Sequence, residues 1–231
     1  MSAGRLRLVW VLGVLFLVLA AGTAAAHGVS EGDKGFLVGS RGTHLAVYLY
    51  LGAKHMVTGY DHLLFLVGVI FFLYRMKDVG IYVTLFAAGH SSTLLLGVLM
   101  GWHINPYVVD AIIGLSIVYR ALDNLGAYRT LLGVQPNKKA AVLLFGFAHG
   151  LGLATKLQDF QLSRDGLVPN MIAFNVGVEI GQLLALGMIL VGMRYWRSTP
   201  SFSRHAFAGN VALMAAGFTL AGYQLTGYFT R

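Results

Sequence analysis

The sequence predicts an all-α polytopic membrane protein, with about six transmembrane helices after an N-terminal signal peptide. Of its 231 residues, 57% are hydrophobic and only 11% are charged, whereas a soluble domain carries about 25% charged residues. Apolar stretches near the roughly 20 residues that a bilayer-spanning helix needs recur along the chain. The net charge of +8 does not indicate a nucleic-acid partner, because the basic residues lie mostly between these stretches.

Residues 1–26 have the pattern of a signal peptide. Two arginines precede an apolar run over 8–19, and the small residues 23–26 form a cleavage site before His27. The alternative is an uncleaved first transmembrane helix. Cleavage would make His27 the new terminus, where an α-amine beside an imidazole is a metal chelator, although many cleaved proteins begin with an arbitrary residue.

The mature chain divides into a short exposed polar arm, residues 27–42, and a transmembrane domain, residues 43–231. The first apolar stretch, 43–74, is longer than one span requires. We therefore expect the part before Gly52 to lie at the interface or to re-enter the membrane. The predicted spans are 57–74, 79–102, 107–125, 140–155, 170–193 and 205–228.

The distribution of basic residues predicts the orientation. The loops after the first, third and fifth spans carry eight lysines and arginines, and the loops after the second and fourth carry two. Because loops rich in lysine and arginine stay in the cytoplasm, the first group is predicted to be cytoplasmic. Both ends of the mature chain would then lie outside.

The chain is organised around the stretch from His55 to Leu66, which places ionisable residues at the mouth of a membrane-buried segment. Each such residue costs about 2.5–3.5 kcal/mol on insertion scales, so it is a candidate functional group. On a continuous helix His55 and His62 would be separated by roughly 10 Å along the axis. Two imidazoles that bind one ion at about 2 Å each cannot be that far apart. Either the helix breaks, with Gly59 the obvious place, or the two histidines serve two positions along a path.

The predicted topology brings ionisable residues of four spans to a similar depth. Asn175 lies four residues before one of them, Glu179, so the two are expected to share a helix face. An intramembrane histidine can also simply bond a neighbouring helix, and Asp61 can pair with Lys54. The residues that agree in depth are Asp61, His62, His90, His149 and Glu179.

The donor types in this set predict the class of metal. Neutral imidazoles and carboxylates suit a divalent first-row ion, namely nickel, cobalt, zinc or copper. They suit Mg²⁺ poorly, because it prefers oxygen ligands. The chain contains no cysteine, so thiolate ligands and disulfides are excluded.

Several ordered motifs resemble those of the HupE/UreJ family of bacterial membrane proteins. The resemblance covers nearly the whole mature chain, and Asp110 and Asp123 stand where relatives are expected to carry Glu. It implies a nickel or cobalt permease of the bacterial inner membrane, associated with hydrogenase and urease. The motifs are HMVTGYDH (55–62), FAAGHSSTL (86–94), FGFAHGLG (145–152) and FNVGVEIGQ (174–182).

Together these observations favour a metal permease rather than an enzyme. His55 would collect the ion at the outer surface, and Asp61 and His62 would pass it to a central site. The expected partners are the metal ion and the lipid bilayer, with no nucleic acid; the pattern does not indicate an oligomeric state. The central site would contain His90, His149 and Glu179, and the supporting residues would be Asn175, Ser91, Asp110 and His27.

Two other functions remain open at this point. An intramembrane metal-dependent hydrolase would use a metal-bound water and Glu179 as general base. No HExxH or comparable pair of ligands occurs on one helix, which counts against it. The second is an accessory protein that binds metal without transporting it.

Overall fold

The computed structural model of the protein describes residues 41–159 and 163–230. Within these ranges the regular structure is entirely helical. The predicted signal peptide, most of the polar arm and His27 lie outside the described residues. The eight helices are α1 (Leu45–Thr58), α2 (Tyr60–Ile70), α3 (Met76–Met100), α4 (Pro106–Asn124), α5 (Ala127–Leu132), α6 (Lys138–Gln158), α7 (Leu167–Arg197) and α8 (Pro200–Thr230).

Four of these helices, α3, α6, α7 and α8, are long and apolar enough to cross a membrane. Helix α4 has 19 residues and carries three charged side chains, Asp110, Arg120 and Asp123. The first apolar stretch, 43–74, forms two shorter helices, α1 and α2, and the first predicted span, 57–74, consists mainly of α2. The all-helical class is therefore confirmed for the described part of the chain, whereas the number of six spans stays a prediction.

The first apolar stretch breaks at Gly59, between α1 and α2. Gly59 has φ −71° and ψ 97°, and its N–H still donates to the carbonyl of His55 at 2.8 Å. Gly52 does not interrupt α1. It packs against the backbone of Phe174 and Val178 on α7, so α1 is part of the bundle along its length.

The helices associate mainly as three pairs, α1 with α7, α3 with α6, and α4 with α8. Glycine lies at the contact of each pair. A Cβ at Gly177 would overlap the carbonyl of Leu49, and one at Gly146 would lie 2.6 Å from the carbonyl oxygen of Phe86. One at Gly114 would lie 2.7 Å from the amide nitrogen of Ala221. Small residues thus bring paired backbones together, as is common for helices in lipid.

Arginine side chains hold the end of the short helix α2. Arg197 donates to the carbonyl oxygens of Phe71 at 2.8 Å and Leu73 at 2.9 Å, and also to that of Ile70. Arg120 donates to Val69 at 3.2 Å. The last carbonyls of a helix lack intrahelical partners and carry partial negative charge, so these cations stabilise the end of α2.

The connections between helices lie alternately at two ends of the bundle. At the end where α2 terminates, which we call the basic end, Lys138 at the start of α6 pairs with Asp123 near the end of α4 at 3.3 Å. At the opposite end, the N–H of His44 donates to Asn170 at 2.7 Å. The helix order thus places together the eight basic residues of the loops after the first, third and fifth predicted spans. These residues are Arg75, Lys77, Arg129, Lys138, Lys139, Arg194, Arg197 and Arg204.

Candidate metal centre

The break at Gly59 brings two histidines of the first apolar stretch together. The ring centroids of His55 and His62 are 5.0 Å apart, about half of the separation expected on a continuous helix. The structure therefore agrees with the broken-helix alternative and not with two distant positions along one helix. The break itself comes from the chain turning between α1 and α2, so the site depends on Gly59.

His62 lies at the middle of a cluster of four imidazoles. Its ring centroid is 5.7 Å from that of His90 on α3 and 4.9 Å from that of His149 on α6. All three of these histidines are at most 2% exposed. Phe86 packs against them, with its ring centroid 5.1 Å from His149 and 6.0 Å from His90. An apolar wall of this kind excludes water and strengthens electrostatic interactions within the cluster.

The donor atoms form two triads that share His62. His55, His62 and His90 form one triad, and within each triad the ligand atoms lie within 4.8 Å of one another. Asp61, His62 and His149 form the other. Such spacing fits side chains that can close around one ion with small rotations. Three nitrogen and oxygen donors with a further position left open are typical of zinc-like first-row metal sites.

Asp61 fixes which nitrogen of His62 is available. A carboxylate only accepts, so the 2.9 Å contact between His62 Nδ1 and Asp61 Oδ1 places the ring proton on Nδ1. The backbone N–H of His62 donates to the same oxygen at 2.9 Å. Nε2 of His62 is then a free lone-pair donor. Carboxylates that hold a ligating histidine in this way are common at metal sites.

Ser116 has the same effect on His149. The hydroxyl of Ser116 donates its proton to the carbonyl oxygen of Ile113 at 2.6 Å, so towards His149 Nε2, at 3.3 Å, it can only accept. The proton of His149 is therefore on Nε2, and Nδ1 is the free donor. Asp61 and Ser116 thus leave one unprotonated nitrogen on each of two buried histidines.

Ring nitrogens throughout the cluster lack partners among the described residues. A buried polar atom without a hydrogen bond costs about 1–3 kcal/mol, so several in one place call for an explanation. A metal ion satisfies such nitrogens, and the donor set therefore fits a first-row metal. The atoms are His55 Nε2, His62 Nε2, both ring nitrogens of His90 and His149 Nδ1.

Two of the predicted supporting residues lie on the packed faces of α3 and α7. Asn175 is buried, and its side-chain N–H donates to the carbonyl oxygen of Met171 at 3.0 Å, while its Oδ1 has no partner in the described part of the chain. The neighbouring Phe174 contacts the ring of His55, with centroids 6.4 Å apart. Ser91 follows His90 and also has a buried oxygen without a described partner.

Glu179 is not among the residues of the two triads, and its predicted role in the central site stays a prediction. Its side chain is exposed on α7, whereas Asn175 and Val178 are buried. The boundary of the packed face falls between Asn175 and Glu179 although they are four residues apart. Gly177 and Gly181 face α1. Glu179 and Asn175 both lie about 200° around the helix from Gly177, so the contact with α1 does not by itself separate the two.

Asp110, another predicted supporting residue, lies at the edge of the cluster. It pairs with Lys156, which the sequence placed in a loop and which the structure places inside α6. Asp110 lines a small pocket together with Asp61 and Gln224. Sequence reasoning did not find Ser116 or Lys156, because no spacing marks a lone serine or lysine as a neighbour of a histidine on another helix.

Comparison with known proteins agrees with the chemistry of this cluster. The family model described as HupE / UreJ protein matches residues 31–231, which is most of the chain. The chain belongs to the HupE/UreJ family. This family is associated with nickel and cobalt uptake, so a HupE/UreJ protein is expected to handle a transition metal in its membrane helices. No curated protein and no solved structure matches the chain.

Proposed function

We propose that this protein is a permease that carries a divalent transition-metal ion, most favourably nickel or cobalt, across the bacterial inner membrane. The observation that carries the proposal is the cluster of four histidines, three of them buried, and Asp61 at the break in the first apolar stretch. Its free ring nitrogens suit a first-row metal, and its position among membrane-type helices suits an ion in transit. The metal is cargo in this proposal.

The ion would enter from the opposite end of the bundle and leave at the basic end. The positive-inside distribution supports a cytoplasmic basic end, with both chain ends outside. The sequence contains no nucleotide-binding motif, so entry would be passive or coupled to an ion or to the potential. The potential alone favours inward movement of a divalent ion by about 4.6 kcal/mol per 100 mV.

Uptake into sealed vesicles tests the proposal. Purified protein reconstituted in liposomes should admit radioactive Ni²⁺ or Co²⁺, and His62→Ala should abolish this uptake, because both triads lose their shared ligand. His205→Ala is the matched control, since His205 is exposed on α8 and contacts only Ser201 among the described residues. Equal loss of uptake in both variants would contradict the assignment of the cluster.

The same experiment separates transport from metal binding alone. An accessory protein would bind Ni²⁺ in detergent but would not carry it into the vesicle interior. The exposure of Glu179, the proposed general base, and its absence from the two triads count against the hydrolase alternative. Binding without uptake by correctly inserted protein would favour the accessory function.

A further inference from the structure

An ion pair between Lys156 and Asp110 lies beside the candidate metal centre. Lys156 Nζ contacts both carboxylate oxygens of Asp110, at 2.9 Å and 2.8 Å. The side chain of Asp110 is 10% exposed and that of Lys156 is 25% exposed. The lysine therefore joins α6 to α4 while part of its side chain keeps access to the surface.

This ion pair lies next to a small pocket that Asp110 shares with Asp61. Asp110 and Asp61 line one pocket, together with Tyr60 and Gln224. The side chain of Asp61 is 27% exposed, and its Oδ1 accepts the ring proton of His62. A cation that comes from the opposite end of the bundle thus meets two carboxylates, of which one already holds an ammonium group.

We propose that Lys156 is a tethered cation at the entrance of the metal centre, which occupies Asp110 and thereby determines which ions can enter. The inference rests on the proposed function. A lysine carries its ammonium group on a flexible methylene chain. When this chain is partly exposed, the ammonium group can leave its partner and return to water. An entering metal ion would displace it from Asp110 and then pass to the histidines.

Charge counting explains why such a residue affects selectivity. Two free carboxylates in one pocket would attract hard divalent cations such as Mg²⁺ and Ca²⁺, which bind oxygen ligands. With the ammonium group on Asp110, Asp61 is the one carboxylate of the pocket that is not paired with a lysine. The two carboxylates and the ammonium group together have a net charge of −1 instead of −2. A first-row metal gains imidazole ligands beyond the pocket, whereas Mg²⁺ gains little there. Lys156 would therefore act mainly against the hard ions.

Competition between Ni²⁺ and Mg²⁺ tests this role in the purified full-length protein. Calorimetric titration with Ni²⁺ is repeated at increasing Mg²⁺ for wild type and for Lys156→Met. We expect the concentration of Mg²⁺ that halves Ni²⁺ binding to fall about tenfold in Lys156→Met, because the second carboxylate becomes free. Lys156→Arg should behave like wild type because it keeps the charge.

Lys138→Met is the matched control. Lys138 also belongs to α6 and also pairs with a buried carboxylate, Asp123, but at the basic end. The substitution makes the same change in net charge, so a general electrostatic effect would appear in both variants. We expect Mg²⁺ competition in Lys138→Met to match wild type.

Two results would overturn the inference. If wild type binds Ni²⁺ and Lys156→Met shows the same Mg²⁺ competition as Lys138→Met, the ion pair only joins two helices. If wild type does not bind Ni²⁺, the proposed function fails, and the role of Lys156 fails with it.

A second variant keeps the test decisive if Lys156→Met does not fold. Asp110→Asn leaves the ammonium without its partner and next to Asp61, so Ni²⁺ binding should weaken by about tenfold. In the double variant with Lys156→Met, binding should return towards the wild-type value. Unchanged binding in Asp110→Asn would contradict the proposal.

Discussion

At the scale of single residues, the chemistry of the cluster depends on where four imidazoles keep their protons. In their neutral forms His62 and His149 have a defined tautomer, because Asp61 accepts from one and Ser116 from the other. Ser116 has this effect without a charge, since its own proton is committed to Ile113. Substitution of a residue that orients a ligand in this way typically lowers metal affinity by about 10–100-fold.

Removing the hydroxyl of Ser116 should therefore weaken metal binding. In Ser116→Ala, His149 loses the acceptor that keeps its proton on Nε2, so Nδ1 is no longer reserved for the ion. We expect the dissociation constant for Ni²⁺ to rise about tenfold in calorimetric titration, with no loss of helical signal. Ser92→Ala is the control, because the exposed Ser92 hydroxyl donates only to the carbonyl of Ala88 on its own helix.

At the scale of helices, the break between α1 and α2 forms the site. Gly59 has φ and ψ values that other residues can adopt. Glycine is therefore required here because there is no room for a side chain, and not because of the backbone conformation. A Cβ there would lie 2.8 Å from Nδ1 of His62 and 3.1 Å from Oδ1 of Asp61. A methyl group at this position would separate the carboxylate from the imidazole that it holds.

Gly59→Ala should consequently impair the metal centre more than the fold. We expect Ni²⁺ to bind at least about tenfold more weakly, measured by calorimetry on protein with unchanged helix content. Gly80→Ala provides the comparison, because a Cβ at Gly80 meets nothing within 4 Å. If both variants bind Ni²⁺ like wild type, the position of His62 does not depend on Gly59.

The sequence predicted which residues share a depth better than which face of a helix they occupy. Depth follows from counting residues along predicted spans, and it correctly brought His62, His90 and His149 together. Rotation about the helix axis is harder to predict in lipid, because both the packed and the lipid-facing sides are apolar. The exposure of Glu179 on α7 was not predicted for this reason.

At the scale of the whole molecule, the alternation of helices determines what each membrane surface presents. The basic residues gather at one end, and the ion pair of Asp110 and Lys156 lies towards the other. The sequence predicted this separation from loop composition alone, because lysine and arginine in short loops determine orientation. It could not predict the three helix pairs, since the 30 glycines do not by themselves indicate which helix each one meets.

Labelling of introduced cysteines tests the orientation, and the chain has no native cysteine to interfere. We expect Lys138→Cys, at the basic end, to resist an impermeant thiol reagent added to intact cells. Arg164→Cys, in the connection before α7 at the opposite end, should react under the same conditions. Lys138→Cys should react once the membrane is permeabilised. The reverse pattern in intact cells would invert the proposed topology.

The ligands of the candidate metal centre come from different helix pairs. Paired backbones are in contact at glycine and cannot slide without collision, whereas contacts between pairs are sparser. His55 belongs to the α1–α7 pair, His90 and His149 to the α3–α6 pair, and His62 to α2, which leans on α4. An ion bound by residues from all three would cross-link parts of the bundle that share few other contacts. Cargo would then be the strongest connection between them, and release would require these parts to separate.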